Sequence, residues 1–419
     1  MSKDTPVSVV SLLARALQRI RSTPPRVIAS PPTQPRRAAV ALIIRVVPSS
    51  VSSLPPQPTH VTSLGQFFEL SWVNDPNAHS EILFLHRENS SLETGSNSGE
   101  AQVAFPGGRM DPDDEGGLYT AMRQTWEEIG IDLAEKDYML IGQLDDREIT
   151  TSLGKRLLMI LSPYVFLQLT PQAPATDPIP TTSLHWTPLS NLVSPDSPPK
   201  WSSVTVDAAS RLVSKHSPIL RFLIQILVGS MQYPAIVLEP SMPEPAGGKP
   251  TSTHDVLEKG ASYNRLPQQL KLWGLSLGMT LDLMSYMIYP PPPPNQTLNG
   301  VTPPSSPLAQ VMQLPYQNVT EDIRVDLVAP SLASVFPRFS YADVNFWIWV
   351  FGKRYREVIR GWEASLRAGG VNDRRINWSG SALNTFYAAV RKALVVVIVG
   401  RALGILIALV FSGWWIFWQ

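Results

Sequence analysis

Apolar residues gather into short runs along the chain, and their spacing predicts a series of strands and helices. From Arg37 the run Ala38-Ala39-Val40-Ala41-Leu42-Ile43-Ile44-Arg45-Val46-Val47 is almost continuously apolar, the pattern of a strand buried on both faces. After a loop rich in Ser and Pro, Phe68–Trp72 and Glu81–Arg87 predict two more strands. Between Phe105 and Ile131 the text changes to a glycine turn, an acidic loop and a helix. On helical spacing Gln124, Glu127 and Glu128 share one face, while Leu118, Met122, Trp126 and Ile129 turn the other way, into a core. Strands follow at Tyr138–Leu144, at Leu157–Leu167 as a pair broken by Pro163, and at Leu184–Leu189. Ile219–Val228 predicts a short apolar helix and Tyr233–Leu238 a strand. Leu270–Met284 predicts a helix that is apolar nearly all round and should therefore be buried.

The two ends of the chain are different in kind. Met1–Pro35 carries a single acid, Asp4, against Lys3, Arg15, Arg19, Arg21 and Arg26, with Val10, Leu12, Leu13, Leu17 and Ile20 between them. Two readings fit: an arginine-rich amphipathic presequence, or a helix docked on the domain and followed by the Pro-rich linker Pro24–Pro35. Glu239–Asn264 is polar and rich in Pro, Gly and Ser, a flexible insertion, and Pro290–Pro294 is a stiff spacer leading into a disordered Asn295–Pro307. Phe336–Trp362 combines Phe346, Trp347, Trp349 and Phe351 with Lys353, Arg354 and Arg356. It reads either as an interfacial membrane helix or as a segment packed on the rest of the protein.

Ala402–Trp418 contains no charge and would span about 25 Å as a helix, near the thickness of a bilayer core. Arg391, Lys392 and Arg401 flank one end and Trp414, Trp415 and Trp418 the other. The asymmetry predicts a membrane anchor with the basic end and the bulk of the protein cytosolic, and Arg401 snorkelling to the interface. A buried helix or a hairpin within one leaflet is the rival. The resulting division is 1–35, 36–289, 290–330 as linker, 331–392 as an aromatic and basic helical extension, and 393–419 as the membrane helix.

Composition narrows the chemistry. The 419 residues carry a formal net charge of +1, which argues against a broad nucleic-acid-binding surface. With 0 Cys, thiolate nucleophiles, disulfides and cysteine zinc sites are excluded, and 40 Pro imply long irregular segments around the core. Attention therefore falls on the carboxylate helix. Glu127 and Glu128 repel each other and sit at the negative end of the helix dipole, so packing gives little reason for them. A hard divalent cation supplies one, since magnesium takes one or two carboxylates and leaves room for phosphate oxygens. Gly107 and Gly108 let backbone approach such a ligand closely.

Arg123-Gln124-Thr125-Trp126-Glu127-Glu128-Ile129-Gly130-Ile131 resembles the Nudix box: a glycine, a spaced acidic residue, then Arg-Glu-x-x-Glu-Glu-x-Gly and an apolar residue. Counted back from Arg123, Glu115 takes the isolated acidic position, and the glycine match needs one extra residue after Gly108. Phe105-Pro106-Gly107-Gly108 followed by Asp111-Pro112-Asp113-Asp114 resembles the opening of the coenzyme A-hydrolysing branch. Glu81–Arg87, Gly142–Asp146 and Trp273-Gly274-Leu275 resemble further segments of it. The resemblance covers about residues 36–289. It implies an α/β class: a Nudix α/β/α sandwich with a mixed sheet and a loop-helix-loop catalytic motif, here with a helical C-terminal extension.

The resemblance also implies a hydrolase that cleaves the diphosphate bond of coenzyme A, acyl-coenzyme A or a related nucleoside diphosphate derivative. Mg2+ or Mn2+ would be held by Glu127 and Glu128. Arg123 would brace the helix by pairing with Glu115, and Arg87, Gly107, Gly108 and Arg109 would meet substrate phosphates. The setting would be intracellular and membrane-anchored, with mitochondrion and peroxisome as candidate organelles. Four departures stand beside the matches. Gln124 replaces the first glutamate of the box, Asn97 and Ala101 replace an arginine and a glycine of the preceding loop, and Pro178–Ser183 lacks the glutamate that members often place there. They motivate two alternatives: a catalytically weakened binding or scaffold protein at a membrane, and a Nudix hydrolase for another nucleotide. Asp145 and Asp146 read as turn residues ahead of groups that orient substrate or a water, and His185, alone on its strand, as a packed or hydrogen-bonded histidine ahead of a catalytic one.

Overall fold

The computed structural model describes residues 8–30, 36–49, 61–87, 101–150, 157–172, 175–193, 199–209, 217–239, 269–287, 336–367 and 378–418. In chain order the elements begin α1 (Val9–Ser22), β1 (Arg37–Val47), α2 (Leu64–Glu69), β2 (His79–Arg87), β3 (Ala101–Ala104), β4 (Gly107–Arg109) and α3 (Gly117–Ile129). Next come β5 (Tyr138–Gln143), β6 (Arg147–Thr150), β7 (Leu157–Gln168), β8 (Thr182–Pro188), α4 (Ser190–Val193) and β9 (Trp201–Asp207). Then follow α5 (Pro218–Val228), β10 (Ser230–Leu238), β11 (Leu270–Trp273), α6 (Gly274–Met287) and β12 (Arg338–Phe339). Three helices close the order: α7 (Ala342–Phe351), α8 (Lys353–Arg367) and α9 (Trp378–Trp418).

The strands form one mixed sheet of order β12-β10-β11-β3-β2-β1-β7-β5, with β4 on β1, β6 on β7, β8 on β2 and β9 on β10. The β1–β7 and β11–β3 pairs are parallel, the others antiparallel. Helices cover both faces, so the expected α/β class with a mixed sheet, a loop-helix-loop around α3 and a helical C-terminal extension is what the chain adopts. Strand β1 shows why its run is apolar throughout. Side chains alternate between the faces of a sheet. Ala39, Ala41 and Ile43 join the cluster containing Ala121 and Ile129 of α3, and Leu42, Ile44 and Val46 join the cluster containing α1 and α6.

Helix α1 is docked rather than detached. Val10, Leu13, Leu17 and Ile20 lie on one face and are buried in the main core with Leu281, Met284 and Met287 of α6. The segment after it is pinned as well. The carboxylate of Asp146 accepts from the backbone N–H of Ile28 at 2.9 Å, from Arg37 at 2.7 Å and from Ser162 at 2.7 Å, and Asp145 accepts from the N–H of Arg26 at 2.9 Å. The two aspartates thus fasten the N-terminal segment to the end of β5, more than a turn alone requires.

Other local expectations change. Phe68–Trp72 is not a strand: α2 and a following turn bury Phe67 and Trp72, whose rings meet edge to face at 5.7 Å. Pro163 does not break β7, which runs through it; Pro163 lies opposite Val40 in the parallel ladder with β1. Leu270–Trp273 is a strand, and its helix begins at Gly274, where φ is +62°. The segments 239–264 and 290–307 fall largely or wholly outside the described residues.

The C-terminal extension has its own core. Phe336, Phe339, Val344 and Ile348 pack with Ala382, Phe386, Val390, Ala393 and Val397 of α9, and β12 attaches this layer to β10 through Met231 opposite Phe339. Of the two readings of Phe336–Trp362, packing holds for Val344, Ile348, Trp347 and Phe351, while Phe346 and Val350 stay exposed. Helix α9 is 41 residues long, continuous across the boundary drawn at 392. Within it Ala382–Ile416 is long and apolar enough to cross a membrane.

Candidate active site

The glycine turn is built against β1. Strand β4 pairs antiparallel with it, placing Gly108 opposite Ala39 and Gly107 opposite Val40. Gly107 has φ +143°, and a Cβ there would lie 2.3 Å from the Ala39 carbonyl oxygen, so only glycine fits. At Gly108 the obstacle is a side chain: an added Cβ would lie 2.2 Å from Oε1 of Gln124. The turn and the helix therefore touch through the amide of Gln124.

Helix α3 is oriented by two arginines. Arg123 grips Asp114 with a two-pronged contact, Nε to Oδ1 and Nη2 to Oδ2, each 2.8 Å. It also reaches Asp111 at 2.9 Å and, one turn on, Glu127 at 3.0 and 3.1 Å. The Asp114 side chain is 2% exposed and also accepts from Thr120 Oγ1 and from the N–H of Asp111, both at 2.9 Å. The Arg123 hydrogen bonds, outweighing the cost of burial, hold the Asp114 carboxyl down to about 2. The same contact raises the Arg123 guanidinium above its ordinary value.

The second arginine, Arg87 at the end of β2, forks onto Glu128, with Nη2 to Oε2 at 2.6 Å and Nε on Oε1, and touches the Gly107 carbonyl at 3.5 Å. Glu127 is the most open of these carboxylates apart from Asp111, and it also accepts from Gln124 Nε2 at 3.2 Å. Beyond the helix, the backbone N–H groups of Asp177 and Ile179 donate to the carbonyls of Ile129 and Glu128, each at 3.0 Å.

The structure thus brings Gln124, Glu127, Glu128, Arg87, Arg123, Gly107 and Gly108 together. Glu115 is not among them: it is exposed, and the brace expected of it is made by Asp114, one residue earlier. The signal was present. The extra residue after Gly108 warns that loop positions counted back from Arg123 can be displaced by one, and four acids stand between 111 and 115. Arg109 ends β4 with its side chain exposed. Trp126 is 60% exposed rather than core; Ala121, Thr125 and Ile129, four apart, form the buried face. His185 is one position out of phase with Leu184 and Trp186, which pack beneath α3, so it faces the opposite side of the sheet. It contacts Ser183 at 3.0 Å, and burial lowers its pKa, aided by His86. Asn97 lies outside the described residues, and Ala101 begins β3.

The donor chemistry suits a hard divalent cation, since Glu127, Glu128 and Gln124 offer oxygen ligands. In the geometry described, however, the carboxylates are held by arginines. Among the described residues no group of three or more acidic, histidine or cysteine side chains converges on one point. A cation would enter by displacing Arg87 from Glu128 and meeting the more open Glu127, rather than by filling a ready cage.

No family model matches the chain. It is 32% identical over 231 residues to an uncharacterized protein of Schizosaccharomyces pombe, a match covering 54% of this chain and 62% of that protein. Over 68 residues it is 38% identical to the mitochondrial coenzyme A diphosphatase NUDT8 of Mus musculus, covering 16% of this chain and 31% of that one. Among solved structures it aligns with RenU, a Nudix hydrolase from M. Smegmatis, at 14% identity and a TM-score of 0.23, over 37% of this chain and 72% of that one. Each curated relative is thus matched over less than two thirds of its own length.

Proposed function

We propose that the chain is a Nudix-type hydrolase that cleaves the diphosphate bond of a nucleoside diphosphate derivative, with coenzyme A or an acyl-coenzyme A as the substrate. The observation that carries this reading is the Gly107-Gly108 turn lying directly on Gln124, with Glu127 and Glu128 beside it on one helix face. The short match to a coenzyme A diphosphatase favours the finer substrate. The catalytic unit is proposed as residues 36–289 together with α1, tethered to a membrane through α9.

In this reading Glu127 and Glu128 hold magnesium or manganese, which when bound neutralises charge on the diphosphate and polarises an attacking water. The chain's own residues do the rest. Arg123 fixes Glu127 by its contact with Asp114, so the carboxylate is presented at a set height over the turn. Arg87, released from Glu128, offers a planar fork to a phosphate beside Gly107, and exposed Arg109 adds a second cationic contact. Gln124 donates and accepts hydrogen bonds and takes no proton, so base catalysis falls to another group.

Release of phosphopantetheine and adenosine bisphosphate from coenzyme A by the full-length protein in detergent micelles tests the proposal. Metal-dependent turnover, lost in Glu127→Gln/Glu128→Gln, is the expected result. Absence of turnover in folded, metal-binding protein favours the second reading, a binding module, which the arginine-paired carboxylates and Gln124 support. Gln124→Glu separates the two: a large gain in rate marks a weakened site, and little change marks a reaction that uses another base.

A further inference from the structure

Helix α5 has apolar side chains on both sides. Leu227 and Ile224 are partly buried and Val228 fully buried in the extension core. Ile219, Phe222, Leu223 and Ile226, spaced i, i+3, i+4 and i+7, form a second stripe that faces outward, with Ile219 77% and Phe222 62% exposed. That spacing is the one by which a helix ordinarily meets a core, and only Arg221 and Gln225 are polar in the whole helix. A contiguous apolar face of this kind needs a partner.

Its position names the partner. Arg401 of α9 donates to the Leu227 carbonyl at 2.5 Å, at the C-terminal end of α5, and to both oxygens of Asp343 in the first turn of α7 at 2.7 and 2.8 Å. It also stacks over Tyr341 at 4.4 Å. Through Val397 the apolar side chains of α9 pack against the extension; beyond Arg401 Leu403, Ile405, Leu406, Ile407, Leu409 and Val410 are all exposed. The outward stripe of α5 therefore ends where the bare sleeve of α9 begins. Exposed Lys353, Arg354 and Lys392 on α8 and α9 supply cations to the same extension, suited to lipid head groups.

We propose that α5 is an interfacial membrane helix whose stripe of Ile219, Phe222, Leu223 and Ile226 enters the same bilayer that α9 spans. The proposal rests on the reading of α9 as a membrane anchor. Arg401 then sits at head-group level, paired to Asp343 and the α5 carbonyl. Because β10 begins at Ser230, directly after α5, a second lipid contact holds the sheet in one orientation on the membrane, whereas α9 alone would leave it free to rotate.

The chain has 0 Cys, so single cysteines report position directly. Ile219→Cys, Phe222→Cys and Ile226→Cys on α5, Leu409→Cys on α9 and Lys136→Cys as an aqueous control would each carry an environment-sensitive fluorophore. The full-length protein is reconstituted in phosphatidylcholine–phosphatidylserine vesicles. All five side chains are exposed, and unchanged unfolding midpoints verify the fold of each variant. The expected result is loss of fluorescence to lipid-borne nitroxides at 219, 222, 226 and 409, with quenching by aqueous iodide at 136 alone. Lipid quenching at 409 with iodide quenching on α5 overturns the proposal and leaves the anchor standing. Iodide quenching at 409 overturns the anchor and the proposal together. Shielding of α5 from both quenchers assigns the stripe to a protein surface and overturns the lipid assignment.

Discussion

Asp114 gathers Arg123, Thr120 and the Asp111 N–H on one buried carboxylate, whereas Glu115 beside it faces solvent. Asp114→Asn should lower stability by about 2 kcal/mol, because the largely buried guanidinium loses its two-pronged buried partner and keeps only the more open Asp111 and Glu127. Glu115→Gln should stay within about 0.5 kcal/mol, as surface changes do. Urea unfolding of both variants decides between them. The folded Asp114 carboxyl sits at about 2 against an ordinary 3.8, so the folded state binds the proton less readily than the unfolded state. Its contribution is complete above about pH 3.8 and is lost as pH falls toward about 2. Asp114→Asn should remove that part of the acid sensitivity, visible in unfolding midpoints across the same window. The two glycines differ in kind as well. Gly107→Ala drives a Cβ into backbone at a positive φ and should cost about 2 kcal/mol or more. Gly108→Ala meets only the movable end of Gln124, so it should spare the unfolding midpoint and lower turnover by shifting Gln124 away from Glu127.

At the scale of elements, α1, within the described part of the first 35 residues, packs as a docked helix. A basic amphipathic pattern is the same whether the apolar face awaits a receptor or a core; only the partner distinguishes them, and the partner is α6, far along the chain. Leu13→Ala and Leu17→Ala should each cost about 2–5 kcal/mol, measured by chemical unfolding, since both side chains are fully buried. A helix that served only for targeting would lose nothing. The same logic explains what was legible and what was not. Strand β1 and helix α3 were readable because their apolar spacing is local and strong. The Phe68–Trp72 run suits a strand by its two aromatics, yet the packing of Phe67 on Trp72 folds the segment into a helix and turn. Spacing alone points Trp126 into the core, whereas small Ala121 and Thr125 form the buried face of α3 and the indole stays outward. The Asp114 brace was hidden by a one-residue ambiguity in an acidic loop. The arginine partners of Glu127 and Glu128 come from separate elements, and for Arg87 no local pattern reports the pairing.

For the whole molecule, the extension is one assembly of sheet edge, α5, α7 and α9 tied at Arg401, and its parts should separate in a defined way. A chain ended after Ala402 keeps the packed part of α9 with the Arg401 tie and loses the exposed run from Leu403 onward. It should leave the carbonate-resistant membrane fraction yet still bind vesicles in a carbonate-sensitive manner through α5, as flotation before and after carbonate would measure. A different consequence follows from the docking of α1 on α6, where Arg19 donates to the carbonyl of Tyr286, 267 residues later, at 3.3 Å. A ribosome adds about 5–20 residues per second, so the interval between the two partners is on the order of 10–50 s. Throughout that time the side of α1 that meets α6 lacks its native cover, although β5, whose Gly142 lies against Ile20, is already made. Co-expression of a chaperone that holds short apolar helices should therefore raise the yield of full-length protein, as the soluble fractions with and without it would measure.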